Sequence, residues 1–350
     1  MKAPLLEILR APGTLATLCL EQASTEGQEV ETGRLRSSDG RSFEIRDAIP
    51  RFTDLEDPAQ AQTRDAFGFK WGRLDTYDSK ASRERVAQWC LERYGFTSVA
   101  AWASRFESFG RVLDVGCGGG LSSGVWLTST GWSGQGMWVG VDLSTAVDVA
   151  RARLGSTPNT HFVQANALEL PFADGTFGAV FSEGVLHHTP STREALLSAS
   201  RVLASGGEIA FYVYRRKGPA REFTDDFVRE ALRGLSDEEA WEVMRGFTRL
   251  GQALASVGAT VDVPESVPLL GIAAGRHDIQ RFIYWNFVKL YWNDAMSFEE
   301  NVHVNFDWFR PMYAHRQTAA EVRDWCEEAS LDVQRFNEQE SGYTVVGRKR

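Results

Sequence analysis

The stretch Val112-Leu-Asp-Val-Gly-Cys-Gly-Gly-Gly120 decides the fold. Its first four residues form a short apolar strand, and the glycines at 116, 118, 119 and 120 allow a tight turn into a helix that starts near Leu121. Backbone N–H groups at such a turn can contact a ligand directly. A G-x-G-x-x-G dinucleotide fingerprint would require a glycine at position 121. The stretch therefore predicts a ligand-binding strand-to-helix turn that departs from the dinucleotide fingerprint.

Strands and helices alternate after this turn. Strands are predicted at 138–142, 161–164, 177–182 and 208–214, and Ser191 with Glu194 forms a capping box for a helix that ends near Leu203. Two closing antiparallel strands are predicted at 331–335 and 343–347. This alternation is typical of an α/β fold with a doubly wound, Rossmann-like sheet. We expect seven strands, the last of them antiparallel.

The rest of the chain divides into three regions. Residues 1–56 are β-rich and include an Asp39-Gly40 turn, whereas 57–105 has a helical and aromatic pattern suited to a lid over the site. The run at 278–293 is rich in aromatic residues and apolar almost all round, which predicts a buried helix inside a helical insertion at 215–316. We expect this insertion to be a substrate cap or a homodimer contact, with 106–214 and 317–350 as the core.

Composition excludes several classes of protein. The 350 residues carry a net charge of −9, with 43% hydrophobic and 24% charged residues, so the chain is not disordered overall and does not suit nucleic acid or anionic membranes. No apolar run approaches a membrane span or a signal peptide. The cysteines are far apart, with no CxxC pair, which favours a reducing, cytoplasmic setting and no metal site. They are Cys19, Cys90, Cys117 and Cys326.

Acidic and amide side chains follow the predicted strands. Asp114, two residues before the first glycine, would repel a pyrophosphate but suits a cation such as S-adenosylmethionine, which carries an ammonium and a sulfonium. Asp142 lies 22 residues after Gly120, where a carboxylate can accept both hydroxyls of a ribose. Asn166 and Ala167 follow the third strand, where an adenine edge would be bound. Ser182 and Glu183 end the fourth strand at the same crevice.

The run 111–214 resembles the class I S-adenosylmethionine-dependent methyltransferases, and within them the ubiquinone-biosynthesis-type small-molecule branch. The motifs are VLDVGCGGG, VGVDLS, LPFADGTFGAVFSEGVLHHTP and RVLASGGEIAFYVY. The resemblance implies that Asp114 and the glycines hold the methionine part, Asp142 the ribose and Asn166 the adenine. The family often has Asp where this chain has Asn166. The predicted cofactor set is Asp114, Gly116, Gly118, Asp142, Leu143, Asn166, Ala167 and Ser182.

The leader resembles the zinc-ribbon-like leaders that precede some of these enzymes. Cysteines are absent near Ala11, Pro12 and Ser37, where that pattern needs them. Without thiolates a tetrahedral zinc site cannot form, so we expect no structural zinc. The leader should instead fold by packing its apolar side chains on the core.

Methyl transfer to oxygen or nitrogen requires a base, and histidine is the obvious type. The segment 305–318, interpreted as an irregular loop returning from the cap, makes His315 the candidate base or substrate anchor, with Asp307 orienting it. Tyr77 and His303 are further catalytic candidates. The predicted substrate-binding residues are Glu183, His187, Arg215 and Arg316. Each also has a structural interpretation, as a cap, a core histidine or a solvated loop cation.

These patterns predict an enzyme that transfers a methyl group from S-adenosylmethionine to an oxygen or nitrogen of a small metabolite, which the basic residues allow to be anionic. Two alternatives stay open. One is a non-catalytic protein that uses the same pocket as a scaffold or sensor. The other is an NAD-dependent oxidoreductase, against which the missing third glycine and Asp114 argue.

Overall fold

One large sheet organises the chain. The structure is a computed structural model that describes residues 1–27 and 29–350. Its strands are β1 Leu18–Glu26, β2 Glu29–Ser37, β3 Ser42–Arg46, β4 Ile49–Phe52, β5 Arg111–Val115, β6 Met137–Asp142, β7 Thr160–Ala165, β8 Phe177–Glu183, β9 Leu203–Tyr214, β10 Thr260–Val263, β11 Gly275–Asp278, β12 Leu331–Glu338 and β13 Gly342–Lys349. Eleven strands share the sheet in the order β1-β2-β3-β4-β7-β6-β5-β8-β9-β13-β12, and β10 pairs with β11 apart from it.

The α/β, Rossmann-like character is confirmed, but the expected count of seven strands is wrong. In the run β4-β7-β6-β5-β8-β9, each strand is parallel to its neighbours. Strand β13 runs antiparallel to both β9 and β12. The additional four strands come from the leader. Strand β4 pairs with β7 at Arg51–Gln164 and Phe52–Ala165. The leader thus covers a sheet edge that would otherwise expose unpaired backbone groups.

The leader shares the hydrophobic core of the sheet. Phe43, Ile45 and Phe52 are buried in one cluster with residues of β5 to β9, whereas Ile49 is buried in the cluster on the other face. This division follows from the alternation of side chains along a strand. Burial of these aromatic and aliphatic groups stabilises the leader against the sheet.

Helices cover both faces of the sheet and build the insertion. They are α1 Ala3–Ile8, α2 Pro58–Gly72, α3 Lys80–Tyr94, α4 Val99–Glu107, α5 Leu121–Leu127, α6 Ala146–Leu154, α7 Thr192–Arg201, α8 Pro219–Leu232, α9 Asp237–Val257, α10 Ile279–Asn286, α11 Phe298–Phe309 and α12 Ala319–Glu328. Ser191 caps α7 as expected. No helix in residues 1–27 and 29–350 has both the length and the apolar character needed to cross a membrane.

The insertion differs from expectation in the run 278–293 and, as described next, at Asp307. Helix α10 ends at Asn286, so 278–293 is not one helix. Side chains of α11 bind the backbone that follows α10. Asn305 accepts from the N–H of Tyr291 at 2.9 Å, and Asn301 accepts from the N–H of Asn293 at 2.8 Å. These bonds satisfy an extended segment that could not otherwise be buried.

Asp307 lies on a helix and not on an irregular loop. A capping box of Ser297 and Glu300 starts α11, which continues to Phe309, two residues before Pro311. The 3.6-residue period places Glu300, His303 and Asp307 on one face, and this face meets the cavity described next.

Candidate functional site

A cavity of about 730 Å³ lies at the carboxyl ends of β5, β6, β7 and β8. Helix α2 and the cavity-facing side of α11 contribute much of the opposite wall. Ligands of open parallel sheets bind at this position because the crevice forms where strand order reverses. The predicted cofactor residues that line the cavity are Gly116, Gly118, Asp142, Leu143, Asn166 and Ala167.

The glycine turn leaves no room for side chains at two positions. Gly116 has φ +76°, and a Cβ there would lie 2.2 Å from Cγ1 of Val185. Gly118 has φ +52°, and a Cβ there would lie 2.8 Å from Cε2 of Trp71. Both the backbone conformation and the space therefore require glycine. The result is a cradle of exposed backbone at the cavity floor.

Asp142 organises this cradle. Its Oδ2 accepts from the N–H of Gly118 at 2.8 Å, and its Oδ1 accepts from the N–H and the hydroxyl of Ser144 at 2.8 and 2.6 Å. Burial raises the pKa of the carboxyl, while the bonds from Ser144 and Gly118 oppose that shift. A carboxylate lining the cavity keeps lone pairs for further donors, such as a diol.

Asn166 forms the next part of the wall. Its Oδ1 accepts from Nε2 of Gln60 on α2 at 3.0 Å and from the N–H of Leu168 at 3.1 Å. Asn166 therefore caps the short turn that carries Ala167 into the cavity. Gln60 has no sequence motif of its own, and only the packing of α2 brings it here.

Two predicted cofactor residues lie beneath the turn and do not line the cavity. Asp114 accepts from the hydroxyl of Ser123 on α5 at 2.5 Å, and burial raises its pKa to about 7. Ser182 donates to the carbonyl of Val115 at 3.0 Å and is fully buried. Alternation along the strands turns both side chains away from the cavity. The expectation of direct ligand contact is corrected to one of supporting the turn.

An ion pair joins the two walls of the cavity. Nζ of Lys70 on α2 donates to Oδ1 of Asp307 on α11, and the hydroxyl of Tyr214 lies 3.3 Å from Oδ2. Burial opposes ionisation of Asp307, but Lys70, His188 and Lys289 outweigh it and hold its pKa well below the usual range. Asp307 is therefore a charged holder of Lys70 and a poor base at neutral pH.

His303, one turn before Asp307, has a defined tautomer. Its Nδ1 lies 2.7 Å from the hydroxyl of Thr76, whose one hydrogen goes to the carbonyl of Arg73 at 2.7 Å. With that hydrogen on the carbonyl, the histidine donates from Nδ1 and keeps the lone pair on Nε2. Burial lowers its pKa well below the usual value, so the ring is neutral. His303 lines the cavity.

His188, which with His187 was a candidate base with a structural alternative, also lines the cavity. Its Nδ1 lies 2.6 Å from the carbonyl of Tyr313 and must donate to it. Burial lowers its pKa to about 4, so this ring too is neutral and carries a lone pair on Nε2. Its ring packs edge-on against Phe67 at a centroid distance of 5.0 Å.

The predicted base is outside the cavity. His315 is half-buried, its ring packs on Tyr313 at 5.6 Å between centroids, and its backbone N–H donates to the carbonyl of His187 at 2.9 Å. His187 itself is fully buried and packs against Tyr214 at 3.7 Å, also outside the cavity lining. Because Asp307 lies on α11, His315 does not share a loop with it and lies outside the cavity.

The two predicted substrate arginines are held elsewhere by acids. Arg316 binds Glu222 at 2.8 Å and Asp226 at 2.7 Å, both on α8. Arg215 lies 3.2 Å from Glu338 on β12. Neither lines the cavity, so the prediction that they anchor an anionic substrate is corrected.

Glu183 and Tyr77 do line the cavity, in roles set by their partners. Glu183 accepts from Arg93 at 2.5 Å and from the hydroxyl of Tyr94, and burial raises its pKa. The hydroxyl of Tyr77 donates to the carbonyl of Trp71 at 2.8 Å. The phenol is thus bonded to the backbone of α2, which makes Tyr77 a positioning residue.

Comparison with known proteins identifies the family. Residues 113–211 match the model described as "Methyltransferase domain". An uncharacterized methyltransferase of Synechocystis sp. is 32% identical over 153 residues, which are 43% of this chain and 67% of that protein. A fatty-acid O-methyltransferase of Mycolicibacterium smegmatis is 32% identical over 48% of this chain and 61% of its own.

A phthiotriol/phenolphthiotriol dimycocerosates methyltransferase of Mycobacterium ulcerans is 32% identical over 140 residues, which are 40% of this chain and 51% of that protein. The chain thus spans about half the length of several curated relatives that it matches. The family match covers β5 to β9, the strands whose ends form the cavity floor. The chain belongs to the methyltransferase family.

Proposed function

We propose that this protein transfers the methyl group of S-adenosylmethionine to an oxygen or nitrogen atom of a small acceptor. The observation that carries the proposal is the meeting of Gly116, Gly118 and Asp142 at one cavity with the neutral imidazole of His303. Motif resemblance favours the ubiquinone-biosynthesis-type branch. The two sides of the cavity would then serve donor and acceptor respectively.

The donor fits the residues present. The glycine cradle, closed to any Cβ, suits the methionine part; Asp142 suits the ribose; and Asn166 with the backbone of Ala167 suits the adenine edge. When bound, S-adenosylmethionine supplies an electrophilic methyl group on a leaving thioether. The aromatic rings of Phe67 and Trp71 on α2 would exclude water from the reacting atoms.

The proton of the acceptor would go to Nε2 of His303. Thr76 fixes the ring so that this lone pair is available. Burial lowers its pKa, which leaves this lone pair free at neutral pH, and the charge of Asp307 opposes that shift and would stabilise the protonated ring. Lys70 and Asp307 hold the neighbouring walls, so the acceptor would meet preorganised charges and would not have to order them.

The acceptor is proposed to have an apolar or aromatic body. The aromatic side chains that also line the cavity include Trp89, Tyr212, Trp285 and Trp308. Two relatives have names that refer to fatty acids and to phthiotriol dimycocerosates. Both names describe acceptors with large apolar parts, which agrees with an aromatic-lined cavity.

Calorimetry tests the donor side. S-adenosylhomocysteine should bind the wild-type chain, and Asp142→Ala should weaken binding by about 1.5–3 kcal/mol, the scale of hydrogen bonds to a charged group. Asp332→Ala, an exposed acid on β12, is the matched control and should change nothing. Unchanged affinity in Asp142→Ala, or tighter binding of NAD, would refute the donor assignment.

A second measurement separates an enzyme from a binding scaffold. Incubation with S-adenosylmethionine and pooled small-molecule extract should release S-adenosylhomocysteine above the level of the Asp142→Ala variant. Binding without release would favour the scaffold alternative.

A further inference from the structure

Four buried cations line the cavity, and three have an acid of their own. Lys70 pairs with Asp307, Arg93 with Glu183 at 2.5 Å, and Arg221 with Asp225 at 2.7 Å. The fourth is Lys289, whose residue is 5% exposed. In the chain as described, 1–27 and 29–350, no carboxylate oxygen lies within 4.0 Å of its Nζ. A buried charge without a counter-ion is costly, so this position requires an explanation.

The ammonium of Lys289 uses only part of its bonding capacity. One N–H donates to the carbonyl of Val304 at 3.1 Å, and Nζ lies 4.7 Å from the ring centroid of Trp308. An ammonium has three N–H groups, and a ring face is a weaker partner than an oxygen. Lys289 therefore keeps donor capacity at a surface that lines the cavity.

The acids nearest to Lys289 pair with other groups, although Oδ1 of Asp225 is buried without a hydrogen-bond partner among the described residues. Asp307 holds Lys70, and Oδ2 of Asp225 accepts from both Arg221 and Nε1 of Trp308, the latter at 2.7 Å. The guanidinium groups of Arg221 and Arg229 add positive charge on the α8 side. Together with burial, they lower the pKa of Lys289 to about 7, against the opposing effect of Asp307. Asp225 also opposes this shift, but neither acid forms an ion pair with Lys289.

We propose that Lys289 binds a carboxylate carried by the methyl acceptor, whose remaining body packs among the aromatic rings of Tyr284, Trp285 and Trp308. One unpaired ammonium balances one negative charge, which favours a monocarboxylate over a phosphate. This inference rests on the proposed function, because it assigns the acceptor class for the same cavity. It places specificity on the segment after α10 and not on Arg215 and Arg316.

Matched pairs of ligands test the charge alone. Benzoate with benzamide, and octanoate with octanamide, are titrated by calorimetry into the full chain saturated with S-adenosylhomocysteine. In at least one pair, the carboxylate should bind about tenfold or more tightly than its amide, the scale of a charge-assisted hydrogen bond. Lys289→Met, which keeps the length of the side chain, should abolish that preference. Lys80→Met, an exposed lysine on α3, is the control.

The outcomes separate the two proposals. Failure of S-adenosylhomocysteine to bind would refute the donor assignment and not the carboxylate site. With the donor product bound, a carboxylate preference that is absent in both pairs, or that survives in Lys289→Met, would overturn the assignment of Lys289. Lys289→Met must retain wild-type affinity for S-adenosylhomocysteine, which shows that the variant is folded and that its effect is on the acceptor side.

Discussion

Replacing Lys289 by Met should make the free protein more stable near neutral pH. Burial, with Arg221 and Arg229 nearby, lowers the pKa of Lys289 from 10.5 to about 7, although Asp307 opposes the shift. The unfolded chain then binds more protons than the folded chain between about pH 7 and about pH 10.5, so stability rises with pH across that window. The cost of charging Lys289 is fully present below about pH 7 and disappears near pH 10.5.

The magnitude follows from the size of the shift. Each pKa unit corresponds to about 1.4 kcal/mol, which gives roughly 4 kcal/mol at pH 7 and roughly 3 kcal/mol of change between about pH 7 and about pH 9.5. Lysine and methionine have stems of similar length, so the packing difference is small. Lys217, whose pKa burial also lowers to about 7, titrates in both proteins and cancels in the comparison.

Urea unfolding of both proteins at several pH values measures this difference. The free energy of unfolding of Lys289→Met should exceed that of wild type near pH 7, and the gap should narrow as pH rises. A variant that is less stable at neutral pH, or a gap independent of pH, would refute the claim that Lys289 is a buried cation without a counter-ion.

Two further predictions concern the base and the glycine turn. His303→Asn keeps a donor for Thr76 but removes the lone pair at Nε2, so turnover of an identified acceptor should fall by about 10² while the affinity for the methyl donor is unchanged. The control is His315→Ala, which lies outside the cavity and should retain activity. Full turnover in His303→Asn would exclude His303 as the base. Gly116→Ala should abolish binding of S-adenosylhomocysteine in calorimetry and lower the free energy of unfolding by about 1–3 kcal/mol, because its Cβ would lie 2.2 Å from Val185. The control is Gly246→Ala on α9, where a Cβ would meet nothing within 4 Å, and this variant should be as stable as wild type or more stable. Normal binding by Gly116→Ala would contradict the assignment of the glycine cradle to the methyl donor.

The donor side of the cavity could be predicted because its geometry is local. A strand followed by glycines fixes the turn, and acids at strand ends reach the same crevice in any parallel sheet. The exceptions follow from a single step of strand alternation. Asp114 and Ser182 end up beneath the turn, where their bonds to Ser123 and Val115 support it. A motif fixes the position of a residue on a strand more reliably than the side of the sheet it faces.

The acceptor side could not be predicted because it depends on packing between distant segments. His315 and Arg316 were favoured as polar residues in a returning loop, but a capping box at Ser297 extends α11 through Asp307. That helix presents His303 to the cavity and leaves His315 outside it. The spacing of residues 300, 303 and 307 was the available signal, and Pro311 obscured it by suggesting a loop.

Lys70 shows how the two sides depend on one another. It belongs to the aromatic run of α2, where a lone lysine suggests only a solvated position. In the structure it is 4% exposed, lies 4.2 Å from the ring centroid of Trp71, and pairs with Asp307. The same charge also lowers the pKa of Asp142, whose largest perturbation is the opposing effect of burial. One ammonium on the lid thus stabilises negative charge on the donor wall and on the acceptor wall. Because Asp307 pairs with Lys70 of α2, it does not pair with Lys289, and this is the position at which we propose that the acceptor carboxylate binds.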